Sequence, residues 1–367
     1  MTHADELDMF DEVDKIDSSK SAFEEEKSFM DKRLKLSYQY NDENADIKAL
    51  YLNINKDEKK YRADMRIIAD EDEISTYVKE LYFKGKISEN NFFELGRVNV
   101  KEGVASGFNP TDYFKGTSSL TLSSDPKEQK DNRLGSLLIQ DTMFFDTYTL
   151  KAIYSPKVSA LHLNKTNYKD RASLSIDYRG FKDVSLSTIA HWNEDNLNMG
   201  LNLSYIWGRW IFYSENSWKT YVYQASLGLN YTSESNIITT LEYIYNEEGL
   251  NKSEWKNYFD LARRSPQSAQ EFGELRAKVA KSQSEMSREK IFLLSRITDI
   301  ETNLDASAMV WLNPYDKSTF SQVGLEYALK DDLQTNLYIR NYRGDDDSEY
   351  GSSNDDYQIL IEAEYYF

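Results

Sequence analysis

From residue 33 onward apolar and polar side chains alternate at every second position, segment after segment, and a chain that alternates for so long must be built from strands with two unlike faces. In the first segment Leu34, Leu36, Tyr38 and Tyr40 share one parity while Arg33, Lys35, Ser37, Gln39 and Asn41 share the other. Tyr61, Ala63, Met65 and Ile67 oppose Arg62, Asp64 and Arg66 in the same way, and Ala172, Leu174, Ile176 and Tyr178 oppose Arg171, Ser173, Ser175, Asp177 and Arg179. The split recurs at Leu197 to Trp207 and at Leu304 to Leu312. Strands are expected to begin near residues 33, 46, 60, 76, 91, 134, 147, 171, 183, 196, 209, 221, 236, 289, 303, 319, 333 and 357. Long connections (102–132, 155–170, 246–288, 341–356) alternate with short turns such as Asp146-Thr147 and Gly208-Arg209. That asymmetry belongs to an up-and-down barrel with both termini on the side of the short turns.

A soluble sandwich also alternates, so the composition of the two faces has to decide which is outside. Apolar faces end in Tyr38, Tyr178, Tyr205, Trp207, Tyr231, Tyr243 and Tyr245, the aromatic girdles of a lipid-facing exterior, while Arg, Lys, Glu, Gln, Asn and Gly fill the opposite parity. The expected fold is therefore all-β, a transmembrane antiparallel up-and-down β-barrel of about 18 strands behind a short non-barrel N-terminal segment. A mean hydropathy of −0.69 with 29 % charged residues suits a wall that meets lipid only at alternate positions. No apolar run approaches the length of a membrane helix. The first residues lack the shape of a signal peptide, so an exported chain is expected with its signal already removed. The chain has no Cys, which excludes disulfides and thiolate metal sites, and its net charge of −18 argues against nucleic acid as a partner.

The last segment, Tyr357 to Phe367, places Tyr357, Ile359, Ile361, Ala363, Tyr365 and Phe367 on one face and stops on an aromatic. It resembles the closing strand of Gram-negative outer-membrane β-barrels, porin-like proteins, whose C-terminal residue is read by the barrel assembly machinery. The resemblance implies the cell outer membrane, with lipid and lipopolysaccharide as surroundings and the assembly machinery as a partner through Phe367.

Two domains are expected: an acidic N-terminal segment, 1–32, and the barrel, 33–367. The first carries 11 acidic residues, among them Asp5, Glu6, Asp8, Glu24, Glu25 and Glu26, against Lys15, Lys20, Lys27 and Lys32. Its readings are a periplasmic tail or a small plug that engages a periplasmic partner, the second suggested by Leu7, Met9, Phe10 and Val13 at near-helical spacing. In the connection 246–288, Trp255, Tyr258, Phe259 and Leu261 precede Ser265-Pro266 and a helix-like run from Ala269 to Met286, read either as a lid over the mouth or as a surface loop. In 102–132 the run Asn109-Pro110-Thr111-Asp112 has the turn chemistry of an ordered loop. Such a loop can fold inward as a constriction or clamp the rim.

Polar parity gives one basic wall. Arg62, Arg66, Lys84, Lys86, Arg97, Lys101, Lys151, Arg171 and Arg179 come early in the chain, whereas Glu242, Asp305, Glu326, Glu362 and Glu364 come late, with Arg296 and Arg340 among them. Like charges lining a wet channel concentrate counter-ions, so these nine cations are the candidate anion pathway; pairing across the lumen is the other reading. The strands Lys79 to Phe83 and Phe93 to Gly103 resemble adjacent strands of alginate-export barrels, which implies an 18-stranded pore passing an anionic polysaccharide, with Arg97 as a lumen arginine. The expected function is a channel for anionic solutes or an acidic polysaccharide; the alternative is a non-conducting receptor or adhesin acting through its acidic loops. With only His3, His162 and His191 and no Ser and acid pattern around them, no catalytic residue, metal site or cofactor is expected.

Overall fold

The computed structural model describes residues 29–367 apart from 42–44, 59, 70–73, 116–119, 160–165, 195, 265–268, 282–285 and 354–355. Of the proposed tail or plug, residues 1–32, the first 28 lie outside the described residues and 29–32 open the first strand of the wall. The wall consists of β1 (Phe29–Asn41), β2 (Ala45–Asp57), β3 (Tyr61–Ala69), β4 (Ile74–Ser88), β5 (Asn91–Val98), β6 (Ser136–Phe144), β7 (Tyr148–Ser155), β8 (Arg171–Phe181) and β9 (Val184–Asn193). It continues with β10 (Asn196–Trp207), β11 (Trp210–Lys219), β12 (Val222–Thr232), β13 (Ile237–Asn246), β14 (Glu289–Glu301), β15 (Leu304–Leu312), β16 (Thr319–Lys330), β17 (Leu333–Arg343) and β18 (Tyr357–Tyr366). Each strand pairs antiparallel with its sequence neighbour, and β1 pairs with β18, so the 18-stranded sheet closes. The expected strand starts fall on these elements, with the largest difference at β1, which begins at Phe29 rather than 33.

Local chemistry explains the short turns. Asp183, Asn236, Asn303 and Gly208 all take positive φ at the tight connections, the conformation that Asp, Asn and Gly accept most readily. Among the described residues three helices interrupt the long connections: α1 (Pro126–Asp131), α2 (Lys252–Arg264) and α3 (Ala269–Lys281). Asp125 caps α1 by accepting from the Lys127 N–H at 2.8 Å. The helical run after Pro266 is therefore α3, and the aromatic stretch before it is a second helix, held to α3 by the Glu254–Lys278 ion pair at 2.7 Å. Hydrogen bonds from Lys278 and from the Asn251 N–H hold the Glu254 carboxyl below its usual range, against a burial effect that pushes it up.

The exterior is an apolar belt. Leu36, Leu203, Leu227, Val323 and Ile361 are all exposed on it. On β10 to β13 it is bordered by one aromatic cluster at the short-turn end, where the Trp210 and Tyr231 rings lie 4.4 Å apart, and by another at the long-loop end, Trp218, Tyr223 and Tyr245. Trp210 and Trp218 are eight residues apart on one tilted strand, a height of roughly 20 Å that matches the hydrocarbon belt between interfacial girdles. Leu227 sits at the centre of β12 and is 50 % exposed. Leu227→Arg is expected to cost about 2–4 kcal/mol in denaturant unfolding from lipid vesicles; an unchanged midpoint would contradict the outward assignment of this face.

The interior is not lined throughout by the polar side chains that parity suggests. Phe292, Leu294, Met309 and Phe320 point inward and form an apolar cluster with Ile244, so the run Ile291-Phe292-Leu293-Leu294 is apolar on both faces. A second inward cluster, Val98, Leu138 and Ile153, lies on the β5–β7 wall. Both clusters are covered by one segment of chain.

Candidate functional site

That segment is the connection from β5 to β6, residues 99–135, and it crosses the lumen. Its two buried aromatic side chains go to opposite walls: Phe108 packs into the Phe292 cluster and Phe114 into the Leu138 cluster. Each is a large apolar group taken out of water, worth about 1.5–3 kcal/mol. Just before Phe108 the backbone is held by two carboxylates. Glu215 of β11 accepts from the N–H groups of Val104 and Ala105 at 2.5 and 3.4 Å. Glu242 of β13 accepts from Ser106 and Gly107 at 2.5 and 2.9 Å, and from the Tyr213 hydroxyl at 2.5 Å. Both carboxylates are fully buried, and neither forms an ion pair among the described residues, so successive backbone dipoles take the place of a cation. Gly103 is required where the strap meets Glu215: its φ is +87°, and a Cβ there would lie 2.0 Å from Oε1 of Glu215.

The rest of the loop is tied to the basic wall and to the late strands. Arg133 pairs with Asp112 at 2.8 Å, both buried, and donates to the Val100 carbonyl at 3.1 Å. Arg66 donates to the Leu120 carbonyl and to Asn132, Arg340 donates to the Leu122 carbonyl at 2.7 Å, and Arg296 pairs with Asp125. Lys151 meets Glu102 at 3.2 Å, and burial pushes the Glu102 carboxyl up while Lys151 opposes the shift.

The candidate cations thus occupy several kinds of place. Arg66, Lys151 and Arg171 fasten loops: Arg171 donates to Ser136 at 2.8 Å and to the Thr166 carbonyl, and lies 4.9 Å over the Phe114 ring. Lys101 stands on the inward loop itself, paired with Asp131 at 2.5 Å. Arg97 faces Leu81 and Leu137 in register, the outward parity, and its buried guanidinium donates to the Gly135 carbonyl at 2.9 Å. Lys86 is exposed near the short-turn end, 5.7 Å from the Phe92 ring, and Arg179 is at the corresponding end of β8. Arg62 and Lys84 remain in the lumen with about a third of each side chain exposed; Arg62 lies 2.8 Å from Glu80 and 3.4 Å from Asp57, and Lys84 also pairs with Asp57. Of the loop candidates, Thr111 and Asp112 are buried, Asn109 reaches the Ala105 carbonyl and Glu215, and Pro110 lines a cavity of about 280 Å³ on the long-loop side of the strap.

Among solved structures the chain is similar to OccK10 (OpdN) of Pseudomonas aeruginosa, with a TM-score of 0.57 at 12 % identity over 92 % of this chain and 98 % of that one. OprD of the same organism gives 0.56 at 12 % over 93 % and 95 %. The chain has the fold of an outer-membrane porin. The P. aeruginosa outer-membrane protein OpdK is similar too, at 0.57 and 10 % identity over 93 % and 99 %, and a second OpdK structure holds vanillate. No protein-family model matches the sequence, and no curated protein matches it. Parity counting alone misses two groups of residues that matter in this barrel, and the role of a third. Lys79 enters the lumen beside Glu80 because a bulge opposite Asp64 and Met65 gives two successive residues the same side, where Lys79 pairs with Asp64 at 2.9 Å. Glu215 carries the polar parity of β11 and is legible as an inward acid, but its backbone partners are not. Phe108 and Phe114 lie in a loop, where no periodicity marks a buried residue.

Proposed function

We propose that this porin is a solute-selective outer-membrane channel whose passage is narrowed by the inward loop 99–135, with a preference for anions set by Arg62 and Lys84. The observation that carries the reading is the fastening of one loop to opposite walls, by Phe108 with Glu242 on one side and Phe114 with Arg171 on the other, which puts ordered side chains across the lumen. Arg66, Lys151 and Arg171 of the basic wall serve that fastening. Arg62 and Lys84 keep water contact, and they resemble a selectivity pair because Asp57 and Glu80 hold them in place. The carboxylate of vanillate in OpdK is the same class of solute. An acidic polysaccharide would need the strap to move aside.

In planar bilayers the purified barrel is expected to give small pores with anion preference. Arg62→Gln with Lys84→Gln removes two cations and leaves Asp57 and Glu80 behind, so the preference should swing toward cations. Pores that favour cations from the outset would sink the anion reading. The two apolar docks also favour a second reading, a closed barrel that works as a receptor through its outer loops; complete absence of conductance from folded protein would decide for it.

A further inference from the structure

The cavity at the outer mouth has chemistry that the channel reading leaves unused. It lies where the ends of β9 to β12 meet the inward loop, above Tyr113 and beside Tyr168 of the β7–β8 connection. Its charged groups already have partners: Lys219 lies 3.6 Å from Glu248, and Asp112 is paired with Arg133. Lys115 has contacts of its own, including one 5.8 Å from the Phe108 ring. What remains is an array of neutral hydrogen-bonding groups. Asn193, Asn196 and Asn198 line one side, each amide offering both donors and an acceptor. Beside them His191 is 1 % exposed and stacked 4.9 Å from Tyr113. The Nδ1 of His191 and the Oδ1 of Asn193 are both buried without a protein hydrogen-bond partner, and buried polar groups in that condition call for a water or a bound molecule. Tyr168 adds a ring that is 47 % exposed. The volume of about 280 Å³ is the space for one small ring.

We infer that this cavity is a binding site for a neutral, polyhydroxylated ring, a hexose or one terminal residue of an oligosaccharide. Amides and an aromatic face suit hydroxyl groups and the apolar side of a sugar, whereas a charged ligand would have to break an ion pair to find a partner here. The site goes beyond the channel reading: it takes a neutral solute, which the anion preference does not select, and its binding is independent of conduction.

The test uses the full barrel in detergent micelles, titrated calorimetrically with glucose, galactose and glucuronate. The neutral hexoses should bind saturably and glucuronate no more tightly. Tyr168→Ala and Asn196→Ala, both at the mouth and away from the barrel interior, should each weaken binding about fivefold, as the loss of one contact of about 1 kcal/mol requires. The site is overturned if no neutral hexose binds, if glucuronate binds at least tenfold more tightly than glucose, or if both variants bind as the parent does. Sugar binding by a barrel that never conducts would support this site and defeat the channel reading, so the two fail separately.

Discussion

Replacing Glu215 and Glu242 together with Ala is expected to raise single-channel conductance several-fold while leaving the β content of the barrel intact. The two side chains accept four backbone N–H groups of residues 104–107 and the Tyr213 hydroxyl. Hydrogen bonds to a charged acceptor contribute about 1.5–3 kcal/mol each when buried. Losing them leaves the donors unpaired in a dry setting, so the strap between Gly103 and Phe108 gains more by moving into water than by staying. The conservative pair Glu215→Gln and Glu242→Gln keeps the volume but places an amide where a carboxylate accepted twice, and should give an intermediate conductance. Pores no wider than the parent's would show that the strap is held by its aromatic anchors alone.

The aromatic anchor on the late wall is the second large effect. Phe108 is 1 % exposed and closes a cluster with Phe292, Ile244 and Met309. Phe108→Ala should destabilise the seated loop by about 3–5 kcal/mol, the range for an aromatic lost from a core where the walls cannot collapse into the space. The wall here is a hydrogen-bonded sheet, so collapse is limited. Hydrogen exchange of the amides of residues 104–107 reads the change directly: they should become markedly faster, while amides of β13 and β14 hold their protection. Equal protection in parent and variant would mean that Phe108 fills space without fastening anything.

Strand number, order and facing were legible in the sequence because they depend on a period of two repeated across the whole chain, and local errors do not accumulate. The bulge at Lys79 shows where such reading stops: one extra residue reverses the parity, and nothing in Val78-Lys79-Glu80 announces it. The lumen was less legible. Cations at inward positions were found by parity, but whether Arg66 lines a passage or grips the Leu120 carbonyl depends on where a loop lies, and loop position follows from contacts far apart in the chain. The apolar inner face of β14 carries a readable signal in retrospect, since Phe292 and Leu294 break the alternation in a strand whose outward face is already apolar. An inward-facing apolar patch in a porin fold needs a cover, and the loops are the chain's means of providing one.

The seam between β1 and β18 bears on how the barrel comes to be shut. Inside the lumen Lys35 reaches Glu362 at 2.7 Å and Glu364 at 3.0 Å, and Arg33 reaches Glu364 at 3.3 Å, between residues from the two extremes of the wall. Slipping the pairing by one residue would turn Lys35, or its glutamates, toward hydrocarbon, at a cost of about 2–4 kcal/mol for the lysine near the midplane. The first strand therefore carries a key cut for the last strand, and the ring locks in one register.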